Sequence, residues 1–145
     1  MTAPPGSSAD IVAPGATIGI VGGGQLGRML AMAAAQLGYR VHIYAPDEPS
    51  PAGVVAAQST QGAYDDAAAL ARFGASVDVA TYEFENIPAA ALDALAAETP
   101  LFPPRRSLEI AQDRLAEKEF ARAHGGRPAP FAAVDDRAGL DSAIT

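Results

Sequence analysis

The residues of this 145-residue chain that could do chemistry fall in three places, the first being the glycine turn Gly22-x-Gly24-x-x-Gly27. Glycines at this spacing permit a tight turn, and the N–H groups of a helix that begins there face an incoming phosphate. The same spacing also serves tight strand–helix packing without any ligand, so alone it is a weak signal. A nicotinamide dinucleotide would demand in addition an acid about 20 residues further on, to take the ribose hydroxyls. Asp47 has that separation from Gly27, but Ala45 and Pro46 end the preceding strand first. Asp47 and Glu48 then fall in a proline-rich loop, where solvated acids are the better reading.

The second place is Tyr82-Glu83-Phe84-Glu85-Asn86. Strand alternation sends Glu83 and Glu85 to one side, with Tyr82 and Phe84 opposite. At the carboxyl end of a strand, where open α/β sheets receive ligands, such acids suit an amine or a hydroxyl. They equally suit solvation of the strand end, or capping of a helix at Pro88 by Glu85 or Asn86. The third place is Arg114 and Lys118, four apart and so on one helix face. Like charges at that spacing mildly oppose the helix, and either an anion or Glu117 would offset them.

Composition supplies mainly exclusions. Ten Lys+Arg against 17 Asp+Glu give a net charge of −7, which argues against a nucleic-acid surface built from clustered cations. The absence of cysteine removes disulfides, thiolate metal sites and thiol nucleophiles, and His42 and His124 are too far apart in sequence for a zinc cluster. No stretch approaches the ~20 uninterrupted apolar residues of a membrane span. Met1 to Ala16 has neither the basic start nor the apolar core of a secretory signal, so a cytoplasmic location is expected.

The elements that must position these groups follow from spacing. Residues 1–16, rich in Pro, Gly, Ser and Ala, read as a flexible arm. A strand over Thr17–Val21 leads into the glycine turn, and an apolar stripe at Leu26, Leu30, Ala33 and Leu37 marks a helix stopped by Gly38. A strand over Arg40–Ala45 follows, then a loop with three prolines and a short apolar stretch at Val54–Ala57. Asp65 is placed to cap a helix through Phe73 that ends at Gly74. Then come a strand over Ser76–Tyr82, a helix from Pro88 to Ala97 and a short strand at Pro100–Pro103. Ser107 is expected to cap a helix to about His124, with Pro130–Val134 extended and Asp136–Ile144 helical. Strands alternating with helices predict an α/β fold, a parallel sheet covered on both faces.

Three blocks in this order carry a likeness: Ile18-Gly-Ile-Val-Gly-Gly-Gly-Gln-Leu-Gly-Arg-Met29, Thr81-Tyr-Glu-Phe-Glu-Asn86 and Gln112-Asp-Arg-Leu-Ala-Glu-Lys118. Together they resemble the N5-carboxyaminoimidazole ribonucleotide synthetases, purine-biosynthetic enzymes of the ATP-grasp superfamily. The resemblance implies a Rossmann-like pre-ATP-grasp domain over residues 17–104 that holds a ribonucleotide, and the linker helix and incomplete start of an ATP-grasp domain over 105–145. It implies that Gly24, Gln25 and Leu26 match the turn that contacts 5-aminoimidazole ribonucleotide, with the glycine turn anchoring its phosphate. Glu83 matches the first acid of a Glu-x-Glu that addresses the same substrate, and Arg114 matches an arginine on the ATP site. Glu85 and Lys118 share those motifs without an assigned contact. The complete enzyme would use ATP, Mg²⁺ and bicarbonate to carboxylate the ribonucleotide through carboxyphosphate, as a homodimer. Its metal ligands and catalytic residues are expected beyond Thr145, so this chain alone is expected to be inactive. The competing readings are another ATP-grasp ligase, such as the glycinamide ribonucleotide transformylase, and a nicotinamide-binding dehydrogenase domain.

Overall fold

The computed structural model describes residues 11–144. The chain divides into two compact units, one ending at Arg105 and the other beginning at Arg106. The first is built on four parallel strands, β1 (Thr17–Val21), β2 (Arg40–Ala45), β3 (Gln58–Gln61) and β4 (Val79–Tyr82), in the order β3-β2-β1-β4. A one-residue parallel bridge from Ala80 to Leu101 continues the sheet beyond β4, where a short strand was expected at Pro100–Pro103.

Helices cover both faces, and β2 shows why. Val41, Ile43 and Ala45 pack with Ile20 and with Ala31 of helix α1 (Gln25–Gln36). The alternate residues His42 and Tyr44 set their rings against Phe73 of helix α2 (Ala67–Gly74), at centroid distances of 4.8 and 5.3 Å. Successive side chains of a strand point to opposite faces, so a run buried on both must be apolar or internally satisfied throughout. His42 meets the second condition. Ser76 gives its proton to the Phe73 carbonyl at 2.7 Å, so the imidazole Nδ1–H donates to Ser76 Oγ at 3.1 Å, and Thr60 donates to Nε2 at 2.8 Å. Burial holds the imidazole pKa below its ordinary value, in keeping with a neutral ring.

Helix α1 turns a different face inward from the one its leucines mark. Gly27 and Ala31 are its buried residues, while Leu26, Met29 and Leu37 are 60%, 65% and 68% exposed. Small residues win the inner face because the helix starts close against the turn: a Cβ on Gly27 would stand 2.6 Å from the Gly22 carbonyl oxygen.

Other boundaries move for local reasons. Asp66, not Asp65, caps α2 by accepting from the Ala69 amide at 2.9 Å. Strand β3 is polar and largely exposed at the sheet edge, so it carried no apolar signal. The apolar stretch before it is instead a 3-10 turn, Gly53–Val55. Helix α3 (Ala91–Ala96) begins three residues after the expected Pro88, with Ala90 as an N-cap that makes no side-chain bond. The single helix expected from Ser107 is two, α4 (Arg105–Gln112) and α5 (Arg114–Ala123), because Asp113 leaves helical geometry and caps α5 through the Ala116 amide at 2.7 Å. Ser107 lies inside α4. Helix α6 (Arg137–Ala143) is capped by Asp136, and Pro130–Val134 forms no strand. Of the arm expected over 1–16, the first ten residues lie outside the described residues. Val12 to Ala16 is tied to the α1–β2 turn, by Tyr39 donating to the Val12 carbonyl at 2.8 Å and Gly15 to Gly38 at 2.8 Å.

Candidate functional site

Chain connections run from β1 toward β2 on one side, while β4 joins β1 on the other. The carboxyl ends of β1 and β4 are therefore the topological switch point, where open α/β sheets form their ligand crevice. Register places the two sequence motifs there side by side. Val21 pairs with Tyr82, and the Glu83 amide donates to the Val21 carbonyl at 3.1 Å, so Gly22 and Glu83 leave the sheet together. Glu83 then lies across the glycine turn, its Oε1 accepting from the Gly24 amide at 3.2 Å.

The glycines make room for that carboxylate. Gly22 has φ +134°, which L side chains rarely adopt, and a Cβ there would stand 2.6 Å from Glu83 Cγ. A Cβ on Gly24 would meet Glu83 Oε1 at 3.0 Å. These contacts change the expected role of the turn. The Gly22 amide donates to the Tyr44 carbonyl at 2.9 Å and the Gly24 amide to Glu83, so neither is open to a phosphate. The next donors along the chain differ: Gly24 is the N-cap of α1 and offers no side chain, so the first-turn amides at Gln25 and Leu26 have no side-chain cap.

Around Glu83 runs a cleft of about 330 Å³, with Gly23, Gly24, Asp47, Ser50, Tyr64 and Phe84 in its wall. Three of these places were not anticipated. Asp47, expected as a solvated loop acid, borders the cleft because the proline loop folds back over the turn, the Ala52 amide donating to the Gly23 carbonyl at 2.9 Å. Phe84, expected opposite Glu83, shares its side, since β4 ends at Tyr82 and the alternation ends with it. Glu85 is exposed and outside the cleft wall. Tyr64, between β3 and α2, belongs to none of the sequence motifs. Its phenol pKa is raised, first by burial and then by the Glu83 carboxylate, while the Gly23 amide directed at its hydroxyl pulls the other way.

In the second unit, Arg114 opens α5, 79% exposed and ion-paired with Glu117, which offsets its repulsion with Lys118. Arg114 and Lys118 border a shallow depression with Pro128 and Ala129. Lys118 and Arg122 both stand over the Phe131 ring, 5.3 and 5.2 Å from its centroid. Among the described residues no group of three His, Cys, Asp or Glu side chains is placed to hold a metal ion, so no magnesium ligand is assigned.

Residues 15–112 match the ribonucleotide synthetase preATP-grasp domain family. The chain belongs to that family. It is 52% identical over 131 residues to the N5-carboxyaminoimidazole ribonucleotide synthase of Brucella melitensis, covering 90% of this chain and 36% of that protein. The Staphylococcus aureus N5-carboxyaminoimidazole synthetase complexed with ADP superposes with a TM-score of 0.83 at 42% identity, over 92% of this chain and 36% of the other. The Aspergillus clavatus synthase in complex with ADP and 5-aminoimidazole ribonucleotide gives a TM-score of 0.74 at 29% identity, over 89% and 35%. The preATP-grasp chain thus spans about 36% of the length of the curated relative, and the parallel sheet with its helices is the fold shared with these enzymes.

Proposed function

We propose that this chain is the ribonucleotide-holding portion of an N5-carboxyaminoimidazole ribonucleotide synthetase, the ATP- and bicarbonate-dependent ligase that carboxylates 5-aminoimidazole ribonucleotide through carboxyphosphate. The observation that carries the reading is Glu83 laid on the Gly24 amide at the switch point, inside the cleft and beside the uncapped first turn of α1. That arrangement pairs an acceptor for an amine or hydroxyl with donors for a ligand oxygen. Gln25 and Leu26 are assigned to the ribonucleotide through their backbone amides, Gly24 as the side-chain-free N-cap that leaves those amides open and anchors Glu83, and Glu83 through its carboxylate. Holding the exocyclic amine in place is what such a domain contributes, because a fixed geometry turns a bimolecular encounter into a near-unimolecular one. Arg114, a fixed guanidinium fork on an exposed helix start, is assigned to ATP phosphate oxygens. Bicarbonate, magnesium with ATP, a homodimer and a cytoplasmic setting enter as properties of the complete enzyme. Magnesium would clamp the nucleotide phosphates there.

One observation favours a second reading. Asp47 borders the cleft, 20 residues after Gly27, as a nicotinamide-binding domain requires of its ribose acid. Calorimetric titration separates the two. Saturable binding of 5-aminoimidazole ribonucleotide with no heat from NADH is expected; tight NADH binding without the ribonucleotide overturns the assignment.

A further inference from the structure

Tyr64 stands in the cleft wall with Glu83 and Asp47, yet no motif of the sequence points to it. Its ring has two aromatic neighbours, Phe84 at 5.6 Å between centroids and Tyr44 at 6.5 Å, and Tyr44 is fully buried. A half-buried phenol fixed in this way is a rigid group, with little rotamer freedom left to lose when a ligand binds. A phenol hydroxyl carries one proton to donate as well as lone pairs to accept with, so it can address a ligand oxygen.

The chemistry of the neighbours is complementary. Glu83 and Asp47 are acceptors only, and Tyr64 adds a neutral hydroxyl donor beside them, as does Ser50 in the same wall. A lysine or arginine at this place would form an ion pair with Glu83 and consume its acceptor capacity, whereas a phenol leaves the carboxylate available. Burial and the two carboxylates also keep the phenol protonated, hence a donor, at neutral pH. Acceptors beside a neutral donor match a sugar diol, in which each hydroxyl both gives and receives a hydrogen bond.

We propose that Tyr64 is a ligand-contacting residue of this cleft, donating its hydroxyl proton to a sugar oxygen of the bound ribonucleotide beside Glu83. The inference rests on the ribonucleotide reading above and adds a specificity residue to it.

The test compares the wild-type chain with Tyr64→Phe, which keeps the ring between Phe84 and Tyr44 and removes only the hydroxyl. Titration with 5-aminoimidazole ribonucleotide is expected to give about tenfold weaker binding in the variant, with an unchanged melting temperature. A second readout reports contact directly. The chain has four tyrosines and no tryptophan, so its near-ultraviolet absorbance is phenolic. Tyr44 is fully buried, Tyr39 donates to the Val12 carbonyl, and Tyr82 points its hydroxyl at the Pro104 carbonyl. Saturation with ribonucleotide is expected to perturb the wild-type phenol spectrum and to leave that of Tyr64→Phe unchanged. Equal affinities overturn the proposal. So does a wild-type spectrum that stays constant at saturation, which would make Tyr64 a structural prop and decides the matter even if the variant does not fold. A wild-type chain that binds no ribonucleotide removes the ribonucleotide reading itself, and this inference with it.

Discussion

Glu83 is the residue on which the site turns, and its position depends on atoms its neighbours lack. Gly22 supplies a backbone conformation at φ +134° and an empty volume into which the Glu83 methylene groups fit. Gly22→Ala is expected to cost about 1–3 kcal/mol in a urea-unfolding series, from backbone strain and from the displaced carboxylate. Glu83→Gln keeps the shape and removes the charge, so it is expected to weaken ribonucleotide binding about tenfold while leaving the unfolding midpoint nearly unchanged. Unchanged affinity would return Glu83 to a strand-end acid with a purely local role. Gly24 and Glu83 were legible because each belongs to a motif with a mechanism. Tyr64 and Asp47 were not, since what brings them in is the fold of the loops after β2 and β3, and no local pattern encodes a loop that folds back on a turn.

At the scale of elements, spacing located α1 and β2 closely but did not tell which side of α1 faces the sheet. Leu26, Leu30 and Leu37 carry the hydrophobic signal and stand outward; Gly27 and Ala31 carry almost none and are buried. Close approach of a helix to its preceding turn selects small residues, and a hydrophobicity pattern does not register size. The break between α4 and α5 is a similar case, since continuous helical spacing conceals a cap that Asp113 supplies from within. Asp113→Ala is expected to lower stability by about 1 kcal/mol, read as loss of helicity on mild heating. On β2, the neutral imidazole of His42 links Thr60 to Ser76. Because its folded pKa lies below the ordinary value, the unfolded chain takes up the proton first as pH falls through about 6.5. The contribution is therefore intact above that pH and declines below it, until the folded imidazole protonates as well. The melting temperature is expected to drop between about pH 7 and pH 5.5, and His42→Gln is expected to flatten that slope; an equal slope in the variant would place the titration elsewhere.

In the first unit, strand order creates a crevice at the carboxyl ends of β1 and β4, and both leading sequence motifs meet there. The alternation of strands and helices made that architecture readable in advance, whereas the order of strands decided which loops would meet. The chain matches the ribonucleotide synthetase preATP-grasp domain family over residues 15–112 and spans about 36% of the curated relative. On the proposed function, phosphate release from ATP, with ribonucleotide, bicarbonate and Mg²⁺ present, is expected to stay at background for this chain alone. The central claim is that the cleft between the glycine turn and Glu83 receives the ribonucleotide. Backbone amide spectra of the isotope-labelled chain, recorded during titration with 5-aminoimidazole ribonucleotide, test it most directly. The largest shifts are expected at Gly24, Gln25, Leu26 and Glu83, with Tyr64 moving alongside; saturable shifts confined to other parts of the chain, or none at all, would contradict the account.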